Sequence, residues 1–424
     1  MRLNKCGPLH GTVTVPGDKS ISHRSVMLGS LAKGTTRVTN FLNGADCLAT
    51  IDCFSKMGID IESSFDSVII HGKGLYGLKK PVSSLYTGNS GTTMRLLSGI
   101  LAGQNFSSDL YGDASLNKRP MKRIIDPLSS MNANIKSRLN NGCAPLDLLP
   151  SSLHGIHYHP LVASAQVKSS ILFAGMYADS VTSVTEPVLS RNHTELMLKD
   201  FGASISTDGT TVSILPDPVL EARNIKIPGD ISSAAYLIAA ALLIPGCELL
   251  IQNVGINPTR SGFLTVCENM GADISYLNQD LSGQEPVADL LVRSSSLHAV
   301  TIEGKQIPSL IDELPILAVM AAFAEGTTFI RDAKELKVKE SDRILSITKN
   351  LKHMGGDVIP TEDGMIIHGK IPLHGTRIES FYDHRIAMSF VVASLASEGE
   401  STLDHPECID VSYPGFFETI QSLL

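Results

Sequence analysis

Long apolar runs, paired cysteines and an excess of positive charge are all missing from this sequence of 424 residues. No run reaches the roughly 18 apolar residues that a membrane-spanning helix needs, and the first residues, MRLNKCGPLHG, lack the apolar core of a signal peptide. The seven cysteines are scattered and form no C-x-x-C pair, so neither disulfides nor a thiolate zinc site is expected. These absences predict a cytoplasmic protein without a metal or other cofactor.

The formal net charge of −8 argues against a surface for nucleic acid or anionic membranes, because both reward a basic balance. Any anion that the protein binds must therefore be held by a local cluster of cations. Hydrophobic residues make up 43% of the chain, which is typical of a globular protein with an ample core. A chain of this length usually forms more than one core, so we expect two domains.

The motif Pro-Gly-Asp occurs at residues 16–18 and again at 228–230. The copies are separated by half the chain length, which indicates two structurally similar halves. Within each half, an apolar helix that stops at a small residue and leads directly into a β-rich strand recurs three times. The stop residues are Gly34, Gly103, Asp179, Gly246, Gly326 and Gly399. This pattern predicts an α/β fold of six βαβα-type units, three in each half.

A second kind of helix ending recurs between these stops. It is found at Met57-Gly58, Met131-Asn132, Phe201-Gly202, Met270-Gly271 and Met354-Gly355. Glycine suits the left-handed position after a helix, where other residues are strained.

Polar and charged residues gather where the predicted helices begin. They are Lys19, Ser20, Arg24, Arg119, Ser164, Gln166, Lys339, Glu340, Arg343 and Arg385. Gly91 ends a glycine-rich bend that opens another of these helices. Pro120, directly after Arg119, is expected at the first position of its helix. A helix N-terminus attracts anions, whereas a cation there is unfavourable by itself. Cations at several helix starts therefore predict a small polyanionic ligand that supplies the missing negative charge.

Two acidic residues, Asp312 and Glu313, directly precede a long apolar helix. Glu313 is interpreted as an ordinary N-terminal cap of that helix. Asp312 and Glu340 lie at the same kind of helix start as the cations. A carboxylate close to several cations and a bound substrate is a candidate general base or acid.

Nine motifs occur in order along nearly the whole chain: PGDKSISHR, GNSGTTMR, GDASLNKRPM, SAQVKSS, RNHTE, PGDISSA, IDELPILA, KVKESDR and DHRIAMSF. Together they closely resemble the 5-enolpyruvylshikimate-3-phosphate (EPSP) synthase family. The resemblance implies two similar lobes, each of three βαβαββ repeat units, with the active site in the cleft between the lobes. It also implies that residues 1–17 join residues 229–424 in one lobe, whereas residues 18–228 form the other.

The resemblance implies a 3-phosphoshikimate 1-carboxyvinyltransferase of the shikimate pathway, which serves aromatic amino-acid biosynthesis. Such an enzyme transfers the enolpyruvyl group of phosphoenolpyruvate to the 5-hydroxyl of shikimate 3-phosphate. It releases phosphate through a tetrahedral intermediate and needs no metal. Both substrates are polyanions, in agreement with the cations at the helix starts. The expected protein is a monomer that binds neither nucleic acid nor a membrane, from a family that the inhibitor glyphosate targets.

The motifs also carry over roles for single residues. Ligands of shikimate 3-phosphate are implied at Lys19, Ser20, Arg24, Ser164, Gln166, Arg191 and Lys339. Phosphoenolpyruvate is expected at Lys19, at the backbone of Gly91 and at a clamp of Arg119, Arg343 and Arg385, since planar guanidinium groups suit its anionic groups. Asp312 resembles a substrate ligand that takes the 5-hydroxyl proton as base. The acid that protonates the methylene carbon is expected at Glu340 or Lys19.

The chain departs from the family pattern at four positions. Val411 and Ser412 stand where some members carry a lysine that contacts phosphoenolpyruvate. Thr93 and Leu96 replace an alanine and a proline of other members, which leaves the degree of glyphosate tolerance open.

Two alternative functions remain. One is enolpyruvyl transfer to UDP-N-acetylglucosamine, although GDASLNKRPM lacks that enzyme's cysteine. The other is nucleic-acid binding on similar repeat units, which the acidic net charge disfavours.

Overall fold

The chain divides into two units close to its two Pro-Gly-Asp motifs. The structure, a computed structural model, describes residues 1–281 and 285–424. One unit is the continuous segment Gly17–Ile227, and the other joins Met1–Pro16 to Pro228–Leu424. The buried apolar residues form one cluster in each unit, so each unit has a hydrophobic core of its own.

The helices divide between the units as follows. Those of Gly17–Ile227 are α1 (Lys19–Leu31), α2 (Ala45–Lys56), α3 (Gly91–Ala102), α4 (Lys122–Ser130), α5 (Ala165–Gly175) and α6 (His193–Asp200). Those of the other unit are α7 (Ile231–Leu243), α8 (Gly262–Asn269), α9 (Ile307–Leu310), α10 (Leu314–Phe323), α11 (Arg343–His353), α12 (His384–Ala396) and α13 (Phe416–Ser422). Short 3-10 helices lie at Leu116–Lys118, Gly304–Gln306, Lys334–Val338 and Pro406–Val411.

The strands are short and are spread along the whole described chain. From the start to the end of the first half they are β1 (Arg2–Leu3), β2 (His10–Thr14), β3 (Lys33–Thr39), β4 (Asp60–Ser63), β5 (Ser67–Lys73), β6 (Leu85–Tyr86), β7 (Ser108–Tyr111), β8 (Asn134–Ser137), β9 (Leu146–Leu149), β10 (His157–Tyr158), β11 (Thr182–Thr185), β12 (Ile205–Asp208), β13 (Thr211–Ile214) and β14 (Asn224–Lys226). In the second half they are β15 (Glu248–Gly255), β16 (Asp273–Asp280), β17 (Val287–Arg293), β18 (Thr301–Ile302), β19 (Thr327–Ile330), β20 (Asp357–Pro360), β21 (Met365–His368), β22 (Arg377–Ile378) and β23 (Ser401–Leu403).

Five four-stranded sheets share one strand order, which is the structural form of the repeat. Their orders are β6-β7-β9-β8, β10-β11-β13-β12, β14-β3-β5-β4, β18-β19-β21-β20 and β2-β15-β17-β16. In each sheet the first two strands are parallel and the other neighbours are antiparallel. The remaining sheet, β22-β23-β1, keeps the parallel pair and takes its third strand from the start of the chain.

The recurring second helix ending has the backbone that the sequence predicted. The angle φ is positive at Gly58, Asn132, Gly202, Gly271 and Gly355. A left-handed residue lets the chain turn back from the helix end into the next strand, and glycine or asparagine adopts it with little strain. The prediction of left-handed helix endings is therefore confirmed at all five positions.

Three nearly fully buried helices form the centre of each unit. In one unit α3 packs against α1 and α5, and in the other α12 packs against α7 and α10. The sequence of α7, ISSAAYLIAAALL, is apolar on almost every side, as expected of a helix that is enclosed by others. The lysines and arginines of these helices all lie within the first six residues of their helix: Lys19, Arg24, Arg95, Lys168 and Arg385.

None of the described helices is by itself long and apolar enough to cross a membrane. One helix pair, Gly304–Leu310 with Leu314–Phe323, passes the same test by length and composition only and is bent by 111°. Its second helix, α10, lies buried in the core of its unit.

Candidate active site

Lys19 is the first residue of α1, and a carboxylate from another helix compensates its charge. Asp18 caps this helix by accepting a hydrogen bond of 2.9 Å from the Ile21 amide. The Lys19 ammonium forms a close ion pair with Asp46 in α2. A cation at a helix N-terminus is unfavourable, so Asp46 supplies part of the negative charge that the sequence analysis assigned wholly to a ligand.

Arg24 lies one turn further along α1 and is buried. Its guanidinium donates to the Thr194 hydroxyl over 2.6 Å, to the Ser169 hydroxyl over 2.9 Å and to the Ser20 carbonyl over 2.9 Å. These bonds join α1 to α5 and α6. Arg24 and Ser20 therefore lie together, as predicted from their spacing, and Arg24 also links the N-terminal halves of three helices.

A buried chain of polar side chains links α1 to the start of α3. The imidazole Nδ1 of His23 lies 2.7 Å from the Thr50 hydroxyl, which lies 2.8 Å from the Thr93 hydroxyl. Thr93 in turn donates over 2.8 Å to Ser90, the N-terminal cap of α3. Burial lowers the pKa of His23 well below its usual range, so the imidazole is neutral at pH 7. This chain fixes the backbone at the start of α3.

Gly91 begins α3 and faces two guanidinium groups. A Cβ atom on Gly91 would lie 3.5 Å from Nη1 of Arg95 and 3.6 Å from Nη1 of Arg119, which is ordinary contact distance. The φ angle of Gly91 is not positive, so the backbone conformation does not require glycine there. Arg119 donates to the side chain and the carbonyl of Asn89 in the preceding bend. The start of α3 thus places two cations beside a helix N-terminus, which is the arrangement of an anion site.

Pro120 does not begin a helix, contrary to the prediction. Arg119 follows the 3-10 helix Leu116–Lys118, and Pro120 pairs in an isolated β-bridge with Cys143. The helix α4 begins two residues later, at Lys122. The position of Arg119 is therefore set by its hydrogen bonds to Asn89 and not by a helix start.

The start of α5 lies beside Arg95, one of the two cations that face Gly91. Ser164 caps α5 by accepting from the Val167 amide over 3.4 Å. The Gln166 side chain accepts a short hydrogen bond from Arg95 and donates to the Thr92 hydroxyl over 3.1 Å. Gln166 thus joins the start of α5 to the N-terminal turn of α3, a contact that the sequence did not predict.

Arg191 lies just before α6, on a segment that a buried ion cluster holds. The ammonium of Lys168 in α5 lies 2.8 Å from Glu186 and 2.7 Å from Glu195. Glu186 also accepts from the Ser164 amide over 3.0 Å, which ties the start of α5 to the strand end before Arg191. Arg191 itself is partly exposed. Sequence reasoning missed this cluster, because one lysine and two glutamates in separate motifs gave no sign of meeting.

In the other unit, Asp312 lies among three cations. Its carboxylate is 3.3 Å from the Lys339 ammonium, 3.7 Å from Nη1 of Arg343 and 3.8 Å from Nη2 of Arg385. The backbone carbonyl of Asp312 also accepts a hydrogen bond of 3.2 Å from Arg385. The predicted base, a predicted shikimate 3-phosphate ligand and two arginines of the predicted clamp are therefore neighbours in this unit.

Arg343, the first residue of α11, is fully buried and is held by two further carboxylates. It donates over 2.8 Å to Asp383, the cap of α12, and over 2.7 Å to Glu340. Burial alone would lower the pKa of Arg343, but the charges of Asp383 and Glu340 outweigh it and raise that pKa. Burial likewise opposes ionisation of Asp383, yet Arg343 holds the pKa of this carboxyl below its usual value. The candidate acid Glu340 is thus joined to Asp312 through one guanidinium.

Glu313 is not an ordinary helix cap, which corrects the interpretation from the sequence. Its side chain makes no capping hydrogen bond to α10 and is only 1% exposed. Its two carboxylate oxygens instead lie 3.0 and 2.9 Å from Nη1 of Arg260. One of them also accepts a short hydrogen bond from Ser232 and lies 3.5 Å from Nη1 of Arg385. Glu313 therefore belongs to the charged cluster around Asp312.

The sequence pattern of the family described as EPSP synthase (3-phosphoshikimate 1-carboxyvinyltransferase) matches residues 3–420. The chain belongs to the EPSP synthase family. A relative from Brevibacillus brevis, named 3-phosphoshikimate 1-carboxyvinyltransferase, is 53% identical over 420 residues, which cover 99% of each chain. The Bacillus subtilis relative of the same name is 51% identical over 424 residues and covers 100% of this chain and 99% of its own.

Solved structures agree with this family assignment. EPSP synthase from Acinetobacter baumannii matches with a TM-score of 0.89 and 46% identity, over 100% of this chain and 97% of that one. The enolpyruvyl transferase NikO from Streptomyces tendae matches with a TM-score of 0.80 at 18% identity, over 100% of this chain and 96% of that one, which shows a shared fold. The predictions of the EPSP synthase family, of a transferase and of a mixed α/β fold are therefore confirmed.

The described part of the chain offers no group of three or more His, Cys, Asp or Glu side chains that could hold a metal ion. Asp46, Glu313 and Glu340 are paired with Lys19, Arg260 and Arg343 instead.

Proposed function

We propose that the chain transfers the enolpyruvyl group of phosphoenolpyruvate to the 5-hydroxyl of shikimate 3-phosphate and releases phosphate. Membership of the EPSP synthase family supports this, as do the relatives named 3-phosphoshikimate 1-carboxyvinyltransferase. The observation that carries the proposal is Asp312, a carboxylate within 4 Å of Lys339, Arg343 and Arg385. It combines a candidate base with the cations that a substrate of several negative charges requires.

The reaction is an addition followed by an elimination. Asp312 takes the proton of the 5-hydroxyl of shikimate 3-phosphate. The oxygen of that hydroxyl forms a bond to C2 of phosphoenolpyruvate at the same time. Glu340 or Lys19 delivers a proton to C3, which becomes a methyl group in a tetrahedral intermediate. The bond from C2 to the phosphate oxygen then breaks, and C3 returns its extra proton to the group that supplied it. The proton held by Asp312 leaves with the phosphate, so the enol ether product and hydrogen phosphate remain and the protein returns to its starting state.

The proposal assigns ligands to each of the two substrates. Shikimate 3-phosphate is held by Lys19, Ser20, Arg24, Ser164, Gln166, Arg191 and Lys339. Phosphoenolpyruvate is held by Lys19, Gly91, Arg119, Arg343 and Arg385. Holding two polyanions side by side supplies proximity, and the fixed cations offset the repulsion between the anions. Arg95 joins this set, because it faces Gly91 together with Arg119.

Further properties belong to the same proposal. We infer a cytoplasmic monomer, with residues 1–17 and 229–424 as one lobe and residues 18–228 as the other. Size-exclusion chromatography with light scattering tests the monomer, and a 45.4 kDa species is the expected result.

Phosphate release with purified protein tests the function directly. We expect release only when phosphoenolpyruvate and shikimate 3-phosphate are both present, with formation of the enolpyruvyl product by mass spectrometry. UDP-N-acetylglucosamine in place of shikimate 3-phosphate serves as the control acceptor and is expected to give no release. Release with the control acceptor alone, or with neither acceptor, would contradict the proposal.

A further inference from the structure

Arg260 and Glu313 form a buried ion pair next to the residues that are proposed to act on the substrates. Both side chains are almost inaccessible, with 4% of Arg260 and 1% of Glu313 exposed. Both carboxylate oxygens lie within 3.0 Å of Nη1 of Arg260. The other terminal nitrogen of Arg260 lies 3.3 Å from Asp230, the cap of α7, and donates a short hydrogen bond to Ser232. Arg260 thus joins α7 to the start of α10.

Glu313 is within reach of a second guanidinium, that of Arg385. Nη1 of Arg385 lies 3.5 Å from one oxygen of Glu313, at the limit of a hydrogen bond, and 3.2 Å from the carbonyl of Asp312. Nη2 of Arg385 lies 3.8 Å from the Asp312 carboxylate. The contacts of Arg385 with carboxylates are therefore long, whereas those of Arg260 with Glu313 are short.

Because of this difference in distance, the guanidinium of Arg385 can still bind another anion. A buried carboxylate that loses its partner is costly, so it will pair with the nearest cation. A guanidinium pairs best with a carboxylate through two parallel hydrogen bonds. Without Arg260, Glu313 would draw Arg385 into such a pair, and the donors of Arg385 would then be unavailable to another anion.

We propose that Arg260 is a positioning residue that occupies Glu313 and thereby keeps Arg385 available to the carboxylate or phosphate of phosphoenolpyruvate. The inference rests on the proposed function, because it takes Arg385 as a ligand of that substrate. Arg260 itself acts through Glu313 and need not touch a substrate. It differs in this respect from Arg343, which is itself a proposed ligand of phosphoenolpyruvate.

The test is Arg260→Gln, alone and combined with Glu313→Gln. In the single variant we expect the KM for phosphoenolpyruvate to rise at least about 10-fold, which corresponds to about 1.4 kcal/mol of lost binding. The KM for shikimate 3-phosphate is expected to change less than about 2-fold, since Arg385 is not among its proposed ligands. Adding Glu313→Gln removes the competing carboxylate, so the KM for phosphoenolpyruvate should return to within about 3-fold of the wild-type value.

A purely structural role of Arg260 makes different predictions. Loss of packing would move both KM values or kcat alone, and a second substitution in the same buried cluster would add to the damage. Equal rises in the two KM values, or a double variant no better than the single one, would overturn the inference. Arg293→Gln is the matched control, because Arg293 in the same unit pairs with Glu248 at 2.7 Å but its side chain is 42% exposed. It is expected to leave both KM values unchanged.

Arg260→Lys covers the case in which Arg260→Gln does not fold. A lysine keeps the charge but cannot bond both Glu313 and the α7 cap in the same planar geometry. We expect a rise of about 3-fold in the KM for phosphoenolpyruvate, again reversed by Glu313→Gln, and an unchanged KM would count against the inference. Wild-type phosphate release tests the proposed function separately, so an active wild type with unresponsive variants refutes only the role of Arg260.

Discussion

The ammonium of Lys339 lies 3.3 Å from the carboxylate of Asp312, the proposed base. The two residues belong to different elements, since Asp312 precedes α10 and Lys339 follows the 3-10 helix Lys334–Val338. Because Lys339 is also a proposed ligand of shikimate 3-phosphate, one side chain can orient both the base and the substrate that it deprotonates. Base and substrate ligand are thus coupled by a direct contact.

Asp312→Asn should leave binding of both substrates intact and lower kcat by about 100-fold or more, the scale of a lost general base. The amide keeps the shape of the side chain but cannot take the 5-hydroxyl proton. Steady-state kinetics with both substrates varied measures the effect. Asp357→Asn, at an exposed position in β20, is the control and should behave as the wild type. Near-normal kcat in Asp312→Asn would remove Asp312 from the role of base.

Gly91→Ala should yield a folded, active enzyme that is more tolerant of glyphosate. The added methyl group would contact the guanidinium groups of Arg95 and Arg119 at 3.5 and 3.6 Å without a clash, so it narrows the anion site and leaves the fold unchanged. Glyphosate is longer than phosphoenolpyruvate and should lose more affinity. One methyl group in a tight pocket is worth about 1–3 kcal/mol, or roughly 10- to 200-fold.

The measurements for Gly91→Ala are the inhibition constant of glyphosate and the KM for phosphoenolpyruvate in both forms. Equal shifts in the two constants would mean that Gly91 sets general access to the site. A folded variant in which neither constant moves would place Gly91 away from phosphoenolpyruvate.

Chelators should not reduce activity. The described residues offer no cluster of metal ligands, and the acidic groups around Asp312 already pair with arginine and lysine. Phosphate release after dialysis against EDTA should therefore equal that of the untreated enzyme. A loss of activity that a divalent ion restores would show that a metal takes part.

Lys168→Met should lower the free energy of unfolding by about 3–5 kcal/mol, because it leaves Glu186 and Glu195 buried without their shared cation. Urea denaturation measures this change. Lys5→Met is the control, since Lys5 pairs with Glu398 on the surface, where an ion pair contributes about 0–1 kcal/mol. Similar losses in the two variants would mean that the Lys168 cluster does not stabilise the unit.

The stabilising effect of Asp383 should depend on pH. Arg343 holds the pKa of Asp383 below its usual value in the folded protein, whereas the unfolded value is about 3.9. The stabilisation is therefore fully present above about pH 4 and is lost as the pH falls through the folded pKa. The difference in unfolding free energy between wild type and Asp383→Asn should be largest near pH 7 and should shrink in acid. A difference in unfolding free energy that is the same at pH 7 and in acid would contradict this assignment.

The sequence by itself determined the features that depend on neighbours along the chain. Left-handed helix endings at Gly58 and Gly355 follow from glycine directly after a helix. The caps Asp18, Ser90 and Ser164, which the sequence analysis did not name, are equally local, because each side chain bonds an amide three residues ahead. Because both effects act over a few residues, the repeat and the helix starts could be predicted without coordinates. The motifs then indicated the family.

Only the tertiary structure decided which charges meet. Asp46 pairs with Lys19, and Glu313 pairs with Arg260 instead of capping its own helix. In each pair the partners come from different elements, so their spacing in the sequence carries no signal of contact. A buried carboxylate takes whichever cation the packing of helices brings nearest, because leaving it unpaired costs several kcal/mol, of the order of 3–5. That choice depends on the fold as a whole, and the local sequence does not contain it.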